Sequence, residues 1–262
     1  MTFTDQMGRP VILSQWPPRR IVSLVPSQTE FLAALGLDAE VVGITKFCIR
    51  PSAWFKEKTS VGGTKTIHYQ RVADLHPDLI LGNKEENQQD QILQLASHFP
   101  VWMSDISTLE NALDMMRSVG ELSGKQMIAN DIAAKVEVRF AELLSTPHTP
   151  LRAAYLIWRK PYMVAAAGTF IDDMLQYAGL VNVFSDRARY PEVSAGELAS
   201  AAPEVLLLSS EPYPFAVKHQ SELQEICPNA RIRLVDGELF SWYGSRLLEA
   251  PDYFRRVRET LG

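Results

Sequence analysis

The sequence predicts an α/β protein built as two related parallel-sheet lobes bridged by one long α-helix, with a ligand cleft between the lobes. Three observations carry that expectation. Short β-branched and apolar runs suited to buried parallel strands alternate with helical segments that have one apolar side. The residues Ile128, Ile132, Val136, Phe140 and Leu143 step by four, four, four and three, a single stripe that predicts one helix over about 125–144. At about 1.5 Å per residue such a helix spans roughly 30 Å, the width of a small domain. Finally, the second half repeats landmarks of the first: 75–81 (LHPDLIL) is answered by 201–207 (AAPEVLL), Phe99-Pro100 by Cys227-Pro228, and Leu35-Gly36-Leu37 by Ala178-Gly179-Leu180. The expected division is an amino-terminal lobe over 1–122, the bridging helix over 123–146 and a carboxy-terminal lobe over 147–262.

Taken in order, residues 1–20 contain no positive start followed by an apolar core, so no secretory leader is legible in them. Either the protein is cytoplasmic or a leader has been removed. Residues 11–13 read as a short edge strand. Residues 20–25 (RIVSLV) read as a buried strand ending at Pro26, and Ser27 to Glu30 has capping-box spacing before a helix that Gly36 ends. Residues 41–44 are the next strand. This β-turn-α-β order sets a helix start at a strand's carboxyl end, where ligands collect in α/β sheets. Strands at 79–81 and 101–103 follow, with a helix over 88–99 between them. Ser107 to Glu110 and Ser123 to Gln126 repeat the capping spacing before two further helices.

Composition narrows the function. With 26 Lys+Arg against 31 Asp+Glu the net charge is −5, which gives no electrostatic footprint for nucleic acid. No apolar run approaches the roughly 18 residues of a membrane span. Two cysteines far apart, Cys48 and Cys227, make neither a disulfide framework nor a metal knuckle. Nucleotide loops, nucleophile elbows and zinc-protease motifs are absent, and the five histidines lack metal-ligand spacing. No metal site and no cofactor are expected. Cys48 reads as a half-buried thiol rather than a metal ligand with His68.

Aromatic residues beside strand ends are the better pointers. Phe47 follows the second strand; Trp158 and Tyr162 follow the first strand of the second half; Tyr190 precedes Pro191; Trp242 and Tyr243 lie in a Gly-containing loop. Flat rings with polar tips suit a large planar or amphipathic ligand, although packing between lobes would use the same residues. Trp54 and Trp102 read as core. Lys84 and Glu86 follow the 79–81 strand, either as a solvated loop or as ligand contacts, and Arg246 either meets an anionic group or caps the last helix.

Residues 20–30 (RIVSLVPSQTE), 70–81 (QRVADLHPDLIL) and 179–184 (GLVNVF), with Leu35-Gly36 and Val42-Gly43-Ile44, together resemble the helical-backbone (class III) periplasmic binding proteins of cobalamin, haem and siderophore ABC importers. Among these the sequence is most like the vitamin B12 binders. The resemblance runs from about residue 20 to the carboxyl terminus. It implies a non-enzymatic, monomeric binding protein for a metal chelate or corrinoid, located in the periplasm or cell envelope. It also implies that the ring positions of B12 binders fall on Phe47, Thr64, Asn83 and Tyr190, with Thr64 and Asn83 standing where tryptophans are usual. Gln28, Lys84, Glu86 and Arg246 are the expected polar contacts. Permease-docking glutamates would fall at Gln70 and beside Glu197. A chelatase-like enzyme using His68 beside Glu85 or Glu86, or a cytoplasmic sensor of the same ligand, is the alternative.

Overall fold

The computed structural model describes residues 1–145 and 147–261; Thr146, the expected end of the bridging segment, and Gly262 lie outside the described residues. The chain divides into two compact units. One comprises Met1–Ile106, Glu110–Lys135 and Tyr243–Arg246; the other comprises Ser107–Leu109, Val136–Trp242 and Leu247–Gly262.

The first unit begins with a hairpin, β1 (Thr2–Thr4) and β2 (Pro10–Ile12). Its strands continue with β3 (Ile21–Ser23), β4 (Val41–Ile44), β5 (Thr59–Ser60), β6 (Leu79–Asn83) and β7 (Val101–Ser104), which form a fully parallel sheet in the order β5-β4-β3-β6-β7. The residues of β3, β6 and β7 are all buried, as continuous apolar runs covered on both faces require. Helices α1 (Pro26–Ala34), α2 (Ser52–Glu57), α3 (Tyr69–Asp74), α4 (Gln89–Ala96) and α5 (Leu109–Leu122) connect the strands and lead out of the sheet. The following helix, α6 (Gln126–Ser145), is the one predicted by the apolar stripe, whose Ile132, Val136, Phe140 and Leu143 are buried while Ile128 is exposed. The division into units falls within it, between Lys135 and Val136.

The edge strand expected at 11–13 is half of the hairpin; its partner β1 carried no apolar signature. The hairpin lies along β7: Gln6 N–H donates to Met103 O at 3.0 Å, and Trp102 Nε1 donates to Thr4 O at 3.2 Å. Trp54 and Trp102 are core residues, as expected, and Trp54 Nε1 donates to Asp38.

Two of the three capping boxes are corrected. Helix α1 has Val25 at its N-cap with no side-chain cap, because Pro26 already supplies a helical φ and has no N–H to satisfy. Ser123 Oγ donates backward to Val119 O at 2.7 Å and Gly124 takes φ +71°, so that tetrapeptide ends α5 rather than starting α6.

The second unit contains β8 (Leu151–Trp158), β9 (Tyr162–Val164), β10 (Leu180–Asn182), β11 (Glu192–Val193), β12 (Val205–Ser209) and β13 (Arg231–Val235), with α7 (Phe170–Tyr177), α8 (Ala195–Ser200), α9 (Gln220–Ile226), α10 (Gly237–Ser241) and α11 (Ala250–Leu261). Strands β10, β8, β12 and β13 pair in parallel, whereas β9 pairs antiparallel with both β8 and β11, so this sheet is mixed and not purely parallel as expected. The reversal follows from the short Arg159-Lys160-Pro161 turn, which leaves no room for a crossover helix. One core cluster joins Leu156, Leu206 and Leu208 of the sheet to Leu198 of α8 and Leu223 of α9.

The internal repeat extends to the backbone. Gly36 and Gly179 both end a helix in the left-handed region, at φ +70° and +73°. His76 and Ala202, each before a proline and a parallel strand, share φ values of 45° and 46°, a conformation uncommon for residues other than glycine.

Candidate functional site

In the first unit, the carboxyl ends of β3, β6 and β7 converge on a buried polar cluster centred on Ser104. Gln28, in the first turn of α1, donates from Nε2 to Ser104 Oγ at 2.7 Å; Asn83 Nδ2 donates to the same oxygen at 2.9 Å; Ser104 Oγ donates to Gly82 O at 3.2 Å. Asn83 also turns the following loop. Its Oδ1 accepts the Glu85 and Glu86 N–H groups at 2.8 and 3.1 Å, an Asx-type turn that fixes Lys84, Glu85 and Glu86 above the strand. Asn87 completes the frame: Oδ1 accepts from Asn83 N–H and Nδ2 donates to Thr64 O. The Asn83 side chain is therefore buried and bonded at both ends within the protein.

Around this cluster lie further groups, some accessible and some buried. Phe47, in the loop after β4, is 51% exposed, and the Lys46 ammonium stands 5.1 Å from its ring centroid. Lys84 is exposed and paired with Asp105 at 2.6 Å, and Glu86 and Thr64 are half-buried. Tyr243 is buried, with its hydroxyl beside Ser27 and Ser104, and Arg246 makes a two-nitrogen pair with Glu30. Behind them, the Cys48 thiol is fully buried between Thr29 and Thr45, and burial pushes it up to about 11. It is an inert core thiol, more deeply placed than the half-buried one expected.

In the second unit the strand-end groups form an aromatic patch. Trp158, the last residue of β8, is 40% exposed and meets Tyr213 edge-on at 5.6 Å between centroids. Tyr213 packs in turn on Phe215 at 4.8 Å and His219 at 5.5 Å. His219 Nδ1 accepts the Ala216 N–H at 2.9 Å, which assigns the ring proton to Nε2, facing the Tyr213 hydroxyl at 3.3 Å. Burial holds this imidazole below its usual range, in the neutral form. The patch is rimmed by Glu222, which accepts from Arg159 and from the Tyr162 hydroxyl. Tyr190 is half-buried under the Arg189 guanidinium, 5.9 Å from its ring centroid.

Trp242 is turned inward. Its Nε1 donates to Glu211 Oε1 at 2.9 Å, beside a second donor, Ser241 Oγ, at 2.9 Å. Burial pushes the Glu211 carboxyl up, and the neighbouring Glu238 and Asp236 add to the shift. Tyr213, Arg159 and Glu222 were not singled out from the sequence. The repeat that matches β6 to β12 would have pointed to Tyr213, which follows β12 as Asn87 follows β6.

Gln70 is exposed on α3 and donates to Asp74 at 2.7 Å. Glu197 is committed to the start of α8: it closes a capping box with Ser194 and pairs with Arg187 at 2.7 Å, which together hold its carboxyl down near 2. His68 is exposed at the N-cap of α3. Among the described residues no group of three or more His, Cys, Asp or Glu is placed to hold a metal ion, and no helix is long and apolar enough to cross a membrane.

Strand-end polar clusters and exposed rings on α/β units are the marks of a binding protein. The sequence profile described as periplasmic binding protein matches residues 21–228, and the chain belongs to that family. Among curated relatives, the vitamin B12-binding protein of Vibrio cholerae is 26% identical over 203 residues, which cover 76% of this chain and 73% of the relative. The solved structure of the periplasmic vitamin B12 binding protein of Vibrio cholerae superposes with a TM-score of 0.79 at 22% identity, covering 94% of this chain and 98% of that one. The periplasmic heme-binding protein from Roseiflexus sp. RS-1 superposes with a TM-score of 0.82 at 23% identity, over 93% and 99% of the two chains.

Proposed function

We propose that the protein is a non-enzymatic binding protein for a metal chelate or corrinoid, of the cobalamin, haem or ferric-siderophore class, working as the substrate-binding component of an ABC importer outside the cytoplasmic membrane. The metal travels inside the cargo, so the protein needs no ligating cluster of its own. The observation that carries this reading is the exposure of Phe47 and Trp158 at strand carboxyl ends. A flat ring open to solvent costs hydration until a planar ligand covers it. Vitamin B12 and haem are what the named relatives bind, and both present a broad macrocycle to such rings.

Lys84, Glu86 and Thr64 in the first unit, and Tyr162 and Tyr190 in the second, offer polar edges beside each exposed ring, while Asn83 and Trp242 act as framework. Gln70 and Glu197, at the expected permease contacts, are exposed and bond to their own neighbours Asp74, Ser194 and Arg187. The test is tryptophan fluorescence and calorimetry with cyanocobalamin, dicyanocobinamide, haemin and ferrichrome, on wild type, Phe47→Ala and Trp158→Ala. Saturable binding of one compound, weakened about tenfold or more by either substitution, supports the reading. Binding unaffected by both removes these rings from the site, and no binding of any compound removes the ligand class.

A further inference from the structure

Residues Tyr243–Arg246 belong to the first unit, although the residues on either side of them belong to the second. They lie over the polar cluster at the ends of β3, β6 and β7. The Tyr243 hydroxyl is buried near Ser27 and near Ser104, whose oxygen is the one on which Gln28 and Asn83 converge. Gly244 passes at φ +110°, so close that an added Cβ would stand 3.0 Å from Phe31 Cβ and 3.4 Å from Ser27 O. Arg246 then closes the segment down by pairing with Glu30 through two nitrogens.

The fit of this segment is incomplete in polar terms. Gln28 Oε1, Ser27 Oγ and Ser245 Oγ are buried with no hydrogen-bond partner among the described residues. A desolvated acceptor without a donor makes the packed arrangement less favourable than a fully bonded one. The unmet group on Gln28 is an acceptor, so what it lacks is an N–H or O–H.

We propose that Tyr243–Arg246 is a displaceable strap, latched by the Glu30–Arg246 pair, which yields its seat to a ligand that brings amide N–H donors to Gln28 Oε1. The proposal rests on the binding reading above and narrows it. A corrinoid, whose rim carries carboxamides, supplies such donors; haem, whose rim carries ionised carboxylates, supplies only further acceptors. The strap thus both guards the seat and selects among macrocycles.

The test uses hydrogen exchange on the full chain, followed by mass spectrometry, with wild type, Glu30→Gln and Gly244→Ala. Expected for wild type is that amides of 243–247 exchange as a unit, well ahead of β3 and β6. Expected for Glu30→Gln is a further acceleration of about ten- to a hundredfold in that segment alone, the effect of losing a charged hydrogen-bonded pair. Gly244→Ala should do the same by steric means. Dicyanocobinamide should speed exchange of 243–247 while slowing 27–29, haemin should not, and Glu30→Gln should lower the apparent Kd for dicyanocobinamide several-fold by weakening the competing arrangement. Protection of 243–247 equal to that of β3, unchanged in both variants, overturns the strap. If 243–247 opens as expected but no compound binds, the binding reading falls and the ligand half of the proposal falls with it. Haemin displacing the strap as well as dicyanocobinamide does overturns the selectivity.

Discussion

Asn83→Ala separates framework from ligand contact at a position that the family resemblance puts among the ligand rings and whose side chain is bonded within the protein. Alanine removes the acceptor of the Glu85 and Glu86 N–H groups, at 2.8 and 3.1 Å, and the donor to Ser104 Oγ at 2.9 Å. Three well-formed bonds at about 1 kcal/mol each amount to roughly 3 kcal/mol. At about 2–4 °C per kcal/mol for units of this size, Tm should fall by about 6–12 °C. Two units need not unfold in one step, so the amides of β6 and β7 should be followed by hydrogen exchange beside the calorimetric melt. Their protection should fall with the Tm. By contrast, Phe47→Ala should leave Tm nearly unchanged and weaken ligand binding. A melting point for Asn83→Ala within about 2 °C of wild type, joined to a large loss of affinity, would show that the side chain faces ligand and refute the framework role.

Other expectations concern buried groups and close contacts. Burial raises the Glu211 carboxyl, so the folded state holds its proton more tightly than the unfolded chain does; that contribution is present at low pH and is lost as pH rises through the raised value. Glu211→Gln keeps an acceptor for Trp242 and Ser241, and should melt a few degrees above wild type at pH 7 and level with it near pH 4. Glu197 behaves oppositely. Held down near 2 by Ser194 and Arg187, it supports the fold above the ordinary carboxylate range and releases that support as pH falls toward 2, so Glu197→Gln should flatten the acid limb of a stability–pH curve. Gly120→Ala would drive its Cβ into the Ala129 Cβ, and overpacking should outweigh the helix propensity gained, for a net loss of about 2 kcal/mol that Ala129→Gly restores in urea titrations. Both cysteines are buried with raised thiols, so Ellman's reagent should label neither until denaturant is added.

What could be read in advance follows the range of the interactions. Strand β4 and helix α6 stand where the apolar periodicities put them, because burial of one face is written locally. The capping spacings at Ser27 and Ser123 misled because Pro26 and Gly124 beside them set the backbone first. The antiparallel β9 and β11 were too short, at three and two residues, to show a period. Phe47 and Trp158 were legible as rings next to strand ends, and each is exposed there. The inward turn of Trp242 was not, since its partner Glu211 lies 31 residues away and no spacing foretells the pairing. The bond from Asn83 to Ser104 was not legible either, since 21 residues separate the two.

The amino-terminal hairpin has a consequence for self-association. An open sheet is bounded by strands with unpaired N–H and C=O groups, and a long bare edge recruits a second copy. Here β5 ends its side of the first sheet after two residues, and the hairpin lies on β7 at the other side. In the second sheet β11 is equally short, and β13 presents Arg231 and Arg233 outward along its length. Deleting residues 1–13 would bare β7 alone, four buried residues with no charge among them. The shortened chain should remain folded through its parallel core yet assemble edge to edge as its concentration rises, so the first strands act as a colloidal stabiliser.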